Sequence, residues 1–269
     1  MFEYTFMVNA FQAAGIVAVL AGTVGYFLVL RGQTFAGHAL SHVGFAGATG
    51  AALVGLSPLA GMTGFTVLAA IGIGCLGERA EGRDVAIGLV LSLSLGLGLL
   101  FLHLYTAYAG QATALLFGNV LGVSRPVIHT LALMAAGALV ALGIILRPLV
   151  FSSLQPEVAE AKGVRLPLVS VLFLVIVALA VAGATQIVGV LLVFSLLVGP
   201  AAAAMRLTRH VGRGVLISVA AALTAAWGGL AASYYTDWPA SFWITTLSVV
   251  LWGLAWGAAQ LRAARPAEA

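Results

Sequence analysis

Two histidines near the start of the chain have the spacing of metal ligands. His38 and His42 are four residues apart in the segment 37–42, so a helix places both imidazoles on one face. Neutral imidazoles at this spacing can share a divalent transition metal such as zinc. The spacing also fits two interfacial histidines that are hydrogen-bonded to the backbone. There is no HExxH motif, and no carboxylate lies close enough in sequence to complete a hydrolytic site.

The chain that carries this pair is too apolar for a soluble protein. Of its 269 residues, 62% are hydrophobic and 7% are charged, with a mean hydropathy of +1.13. Soluble domains carry about 25% charged residues. The composition excludes a soluble enzyme, a nucleic-acid-binding module and a disordered chain, and it predicts an integral protein of the lipid bilayer. The apolar runs are continuous and not alternating, which predicts helices instead of a β-barrel.

The uncharged runs predict nine membrane spans, because one span needs about 20 apolar residues. Two runs are long enough for two spans each, with breaks expected near Ser57-Pro58 and near residues 183–186. Residues 109–124 are predicted to form a short external or re-entrant segment. Single spans are predicted within 4–30, 85–107, 126–146, 214–236 and 238–261, and pairs of spans within 32–77 and 166–205.

The distribution of charged residues predicts the orientation of the chain in the membrane, and the absence of two kinds of site indicates its energy source. With a single crossing at 85–107, eleven of the twelve Lys and Arg residues fall on one side, and only Arg125 falls on the other. Because basic residues mark the cytoplasmic side, we expect the N-terminus outside and the C-terminus in the cytoplasm. No predicted span contains an ionisable Asp, Glu, Lys or Arg, and the chain has no GxxxxGK[ST] phosphate loop. Any pumping therefore requires energy from a separate subunit.

The charged loop 147–166 predicts a short cytoplasmic helix at about 153–163. Ser153 can cap its start, Pro156 fits its first turn and Gly163 is a stop signal. Glu157 complements the positive end of the helix dipole. Such a helix is either a simple connector or a docking element for the groove of a cytoplasmic partner.

Six motifs in register resemble the membrane permease family of bacterial ABC importers for zinc, manganese or iron. The family has Asp at the positions of His38, Asn119 and Gln155. The first two replacements remove negative charge, and the resulting histidine pair suits zinc better than manganese. The motifs lie between about residues 30 and 240, at 37–42 (GHALSH), 83–88 (RDVAIG), 116–123 (LFGNVLGV), 155–159 (QPEVA), 188–204 and 233–237 (SYYTD).

This resemblance implies an all-α polytopic bundle of about nine helices with a type II ABC importer-like permease fold. It implies one transmembrane domain over residues 1–269 that is not itself an enzyme, in the bacterial plasma (inner) membrane. The implied partners are a second copy of the chain, two cytoplasmic ATP-binding subunits and an external, periplasmic metal-binding protein. No cofactor is expected to be permanently bound, and the transported ion is expected to be zinc, with manganese or iron as alternatives.

The resemblance also assigns roles to residues of this chain. The metal ligands on the translocation path are His38 and His42. Candidates for lining or gating the path are Asp84, Asn119, Gln186, Pro200 and Asp237. The expected ATPase-docking residues are Gln155, Pro156, Glu157, Ala159 and Gly163.

Three other interpretations remain open at this point. The chain could be a permease for a larger metal chelate or vitamin, or a purely structural membrane subunit. An intramembrane enzyme using His38 and His42 needs a third ligand and a general base, and no predicted span supplies an acidic residue.

Overall fold

The computed structural model describes residues 1, 3–76, 82–104, 116–190 and 192–263, without the side chains of residues 186 and 263. All regular structure in these ranges is helical. A 3-10 turn at Val120–Gly122 separates the fourth and fifth helices. The α-helices are α1 (Thr5–Leu30), α2 (Thr34–Leu53), α3 (Pro58–Cys75), α4 (Arg83–Leu104), α5 (Arg125–Leu154), α6 (Pro156–Ala161), α7 (Leu166–Val188), α8 (Val193–Leu207), α9 (Val211–Thr236) and α10 (Ala240–Ala263).

Each of the nine predicted spans corresponds to one helix of the described chain. Seven of these helices, α1, α3, α4, α5, α7, α9 and α10, are long and apolar enough to cross a membrane. The other two are α8, which is apolar but has only 15 residues, and α2, which has 20 residues and is rich in glycine and alanine. An all-helical polytopic bundle is therefore confirmed.

One predicted break is confirmed and the other is wrong by a few residues. Ser57 caps α3 by accepting a hydrogen bond from the Ala60 N–H (3.3 Å). The break expected at residues 183–186 instead lies at Gly189, because α7 continues to Val188. At this point the backbones of Gly118 and Gly189 meet, since a Cβ on Gly118 would lie 2.7 Å from the Gly189 nitrogen.

The described part of the predicted external segment, residues 116–124, packs against the bundle. Val120 is buried, and the Asn9 amide donates a hydrogen bond to the Val123 carbonyl (3.3 Å). Residues 109–115 of the same segment lie outside the described residues. The short turn between α4 and α5 thus lies against α1 and α7.

The fifth helix is two turns longer than its predicted span of 126–146. It passes through Arg147 and Pro148 and ends at Leu154. Ser153 is therefore an interior residue of α5 and not the cap of the next helix, and its hydroxyl donates to the Leu149 carbonyl. The predicted short helix at 153–163 is observed as α6, over Pro156–Ala161.

The most deeply buried of the seven long apolar helices are α1 and α7. In the most apolar 18-residue stretch of each helix, 72% of the residues are buried in α1 and 61% in α7. The corresponding share is 17% in both α4 and α10. Close approaches are made through small residues, as is usual between membrane helices. At the crossing of α2 and α3, a Cβ on Gly47 would lie 2.6 Å from the Cβ of Phe65. Between α1 and α9, the buried Ser218 hydroxyl donates to the Gly22 carbonyl (2.7 Å).

Most basic residues of the described chain gather at one end of the bundle, which we call the basic end. There, Arg31, Arg83, Glu160 and Pro167 line one cavity, so the ends of α1, α4, α6 and α7 meet. Arg125 lies at the start of α5, at the opposite end. The structure therefore agrees with the charge asymmetry read from the sequence.

Candidate metal path and docking helix

The two histidines come together on one face of α2. Their rings stand edge to face, with centroids 4.8 Å apart. His42 is the ninth of the 20 residues of α2 and is only 8% exposed, and His38 is half-buried one turn earlier. The pair therefore lies in the first half of α2 and within the protein.

Both histidines keep a buried ring nitrogen that is not hydrogen-bonded. Neither Nδ1 atom has a partner among the residues that the structure describes. Buried polar atoms in proteins almost always have partners, because an unpaired one loses its hydration without compensation. The arrangement is typical of nitrogens that bind a ligand.

A phenylalanine that the sequence did not identify covers one of the rings. The centroid of Phe194, in the first turn of α8, lies 5.2 Å from that of His38, edge to face. Phe194 lies five residues after Gly189, where α7 has ended. Its proximity to His38 depends on how α8 packs, so no local sequence signal could have revealed it.

The histidine pair offers fewer ligands than a resident metal site. No cluster of three or more His, Cys, Asp or Glu side chains that could hold a metal occurs within the described ranges. Structural zinc sites have four protein ligands, and catalytic ones have three. In the described part of the chain, one copy thus offers the two imidazoles alone, fewer ligands than either kind of zinc site.

A cavity of about 790 Å³ with a mostly apolar wall lies at the end of the bundle opposite to the basic end. It opens between the first turns of α3 and α5 and the last turn of α7. Asn119 is on its wall and accepts a hydrogen bond from the Gly122 N–H (3.1 Å). Neutral hydroxyl groups complete the polar part of the lining, from Ser57, Thr63, Thr130 and Thr185.

The remaining path candidates are not brought together. Asp84 lines the cavity of about 750 Å³ at the basic end, beside Arg83. Asp237 is exposed at the opposite end, where it closes α9 in the left-handed conformation (φ 56°). Pro200 is buried inside α8, and Gln186 lies in the last turn of α7, with its side chain outside the described part.

The short helix α6 has the form expected of a docking element. Ala159 is fully buried and anchors α6 on the bundle, whereas Gln155, Pro156 and Glu157 are exposed. Pro156 is in the first turn, as predicted. Gly163 ends the helix with φ +84°, and its N–H donates to the Glu160 carbonyl (2.9 Å). One face is thus fixed to the protein and the other is accessible to a partner.

Arg31 connects the end of α5, next to α6, to the end of α1. From the sequence, this arginine counts only as one of the basic residues that predict the orientation. The Arg31 Nη1 atom donates to the hydroxyls of Ser152 (3.0 Å) and Ser153 (3.1 Å) and to the Leu149 carbonyl (3.5 Å). Its guanidinium lies 5.6 Å from the centroid of the Phe173 ring of α7. Burial, and secondly the charge of Arg83, lower the pKa of Arg31 to about 10. Arg31 is therefore still charged at neutral pH.

Comparison with known proteins identifies the family of this chain. The model of the ABC 3 transport family matches residues 3–256. The manganese transport system membrane protein MntC of Halalkalibacterium halodurans is 32% identical over 216 residues, which are 78% of this chain and 72% of MntC. The chelated iron transport system membrane protein YfeC of Yersinia pestis is 28% identical over 252 residues, which are 93% of this chain and 85% of YfeC.

A solved structure agrees in both fold and sequence. PsaBC from Streptococcus pneumoniae, in complex with a Fab, matches with a TM-score of 0.85 at 27% identity, over 94% of this chain and 92% of that one. The resemblance inferred from six short motifs is confirmed. The chain belongs to the ABC 3 transport family, as a membrane permease subunit of a metal-importing ABC transporter with a type II importer-like fold.

Proposed function

We propose that this permease moves a divalent transition-metal ion, zinc in the first place, along a path that passes His38 and His42. The observation that carries the proposal is the pair of buried Nδ1 atoms without hydrogen-bond partners among the described residues. A passing metal ion would bind the lone pairs of neutral imidazoles. The ion would thereby replace the hydrogen bonds to water that both nitrogens lost on burial.

The ligand number suits transport by a dimer. Two imidazoles from one chain hold an ion weakly, so the ion can leave when the two copies move apart. In a homodimer with α2 of both copies on a central path, four imidazoles would surround the ion. Four nitrogen ligands match the tetrahedral coordination that zinc prefers.

The choice of zinc rests on the kind of ligand. Imidazole suits zinc, whereas manganese prefers carboxylate, carbonyl and water oxygens. His38 stands where the family has Asp, so the pair lacks the oxygen that would favour manganese. The names of MntC and YfeC refer to manganese and to chelated iron. These names make manganese and iron the second candidates for this chain.

The other features suit an ATP-driven importer. The exposed face of α6, with Pro156 and Glu157, is the surface on which each of two ATP-binding subunits would dock. With basic residues on the cytoplasmic side, α6 faces the cytoplasm and both the N-terminus and the cavity at Asn119 face outward. That cavity would receive the ion from an external metal-binding protein. ATP binding and hydrolysis would then shift the helices between outward-facing and inward-facing states.

Uptake by the assembled transporter tests this proposal. The permease, its ATP-binding subunit and its metal-binding protein are reconstituted in vesicles, and uptake of radioactive zinc is followed with and without ATP. We expect ATP-dependent zinc uptake that an excess of manganese does not suppress. Suppression by manganese would favour the second candidate, and no uptake of either ion would contradict metal import.

A further inference from the structure

We propose that Arg31 is the positioning residue that passes movement of the docking helix α6 to the histidine-bearing helix α2. The inference rests on the docking role proposed for α6. Arg31 lies between the two, since it follows the last residue of α1 and bonds to the end of α5. A chain of short, well-defined contacts joins the ATPase side to the metal path through this one side chain.

The first part of this chain runs from α6 to Arg31. A single residue, Gln155, separates α6 from the end of α5, so the two helices must move together at their junction. The last turn of α5 carries Ser152 and Ser153, whose hydroxyls accept the hydrogen bonds of Arg31. Hydrogen bonds to a charged donor are about twice as strong as those between neutral groups. A displacement of α6 therefore acts directly on the guanidinium.

The second part runs from Arg31 to the histidines. The turn after α1 is tight, because the N–H groups of Gly32 and Gln33 donate back to the carbonyls of Val29 and Leu28 (both 3.0 Å). Gly32 takes φ +65°, which a glycine adopts without strain. Gln33 is buried and directly precedes α2. No flexible loop intervenes, so a shift of Arg31 moves the first turns of α2.

The chemistry of this site favours arginine over a simple packing residue. The guanidinium bonds to three oxygens of α5 and lies against Phe173 of α7, which no neutral side chain of similar length can reproduce. The same cavity is lined by a second cation, Arg83, and by the carboxylates of Asp84 and Glu160. These carboxylates limit the repulsion between the two guanidinium groups, so Arg31 can stay charged while the helices shift.

The test compares two variants in the complete transporter in vesicles. In R31Q, basal ATP hydrolysis should stay close to the wild-type rate, because α6 still docks. Its stimulation by metal-loaded binding protein, and metal uptake, should both fall about tenfold, as expected for the loss of one coupling contact. R31K keeps the charge without the planar fork and should recover only part of the stimulation. The matched control is R147Q, an exposed arginine on α5 at the same end, which should change neither rate.

A second pair of measurements separates coupling from folding. The double variant S152A/S153A should lower stimulation in the same direction, and adding R31Q to it should lower stimulation little further, because all three side chains form one contact. Normal stimulation in R31Q would overturn the proposal. Equal losses of basal activity, stimulation and thermal stability would also overturn it, since Arg31 would then only support the fold. The wild-type vesicles report on metal import itself, so failure of the proposed function is seen independently.

Discussion

A close approach of two helix backbones gives a specific prediction at Gly25. There α1 passes the backbone of α8 at Leu197. A Cβ on Gly25 would lie 2.9 Å from the carbonyl carbon of Leu197 and 3.3 Å from its Cα, and closer still to its carbonyl oxygen. Favourable contacts between carbon atoms lie at about 3.5–4.0 Å. Because these are backbone atoms of a helix and cannot rotate away, Gly25→Ala forces α8 to move.

The size of the effect follows from two opposing contributions. Overpacking a close contact costs about 1–3 kcal/mol, and backbone atoms place this site in the upper half of that range. Replacing glycine by alanine inside a helix stabilises the helix by about 1 kcal/mol. The net loss of about 1–2 kcal/mol lowers the folded-to-unfolded ratio about 5–30-fold. Since α8 also carries Phe194 against His38, metal uptake should fall with stability.

Thermal unfolding of the purified permease in detergent checks this prediction. The matched controls are Gly96→Ala on α4 and Gly253→Ala on α10, where an added Cβ meets no described atom within 4 Å. Both controls should be as stable as the wild type, or slightly more stable. If Gly25→Ala unfolds at the same temperature as the controls, the tight approach of α1 and α8 is refuted.

Three further predictions concern docking, the path and the core. Pro156→Arg or Glu157→Arg should abolish metal-dependent growth while the protein stays in the membrane, and wild-type uptake by both would remove the docking role of α6. His42→Ala should reduce uptake more than His129→Ala, and equal activity would argue against a path at α2. Ser218→Ala should cost about 0.6 kcal/mol, a typical interhelical hydrogen bond in a membrane protein. An unchanged unfolding temperature would show that this bond contributes nothing.

The helix order could be predicted because charge is so costly in a bilayer. Charges must lie near the membrane surface, so the uncharged runs located the nine α-helices other than α6. The start of α3 was equally clear, since Ser57 and Pro58 are local signals for a cap and a first turn. Likewise, Pro156 and Gly163 marked α6.

The features that the sequence could not reveal depend on residues far apart in the chain. The end of α7 is set where Gly189 meets Gly118, and not by the small residues at 183–186. Serine hydroxyls that bind Arg31 lie in the last turns of α5, beyond its predicted end at residue 146. For the candidate site, the spacing of His38 and His42 was enough to find the pair. The covering ring of Phe194 required the packing of α8.

In our proposal, the imidazole pair on α2 binds the transported ion and favours zinc. The most direct test is the ratio of zinc to manganese uptake by vesicles that contain the complete transporter, for the wild type and for His38→Asp. An oxygen ligand favours manganese, so the substitution should move the ratio toward manganese by about tenfold, which corresponds to about 1.4 kcal/mol. The same ratio in both proteins would contradict the claim that this pair selects the metal.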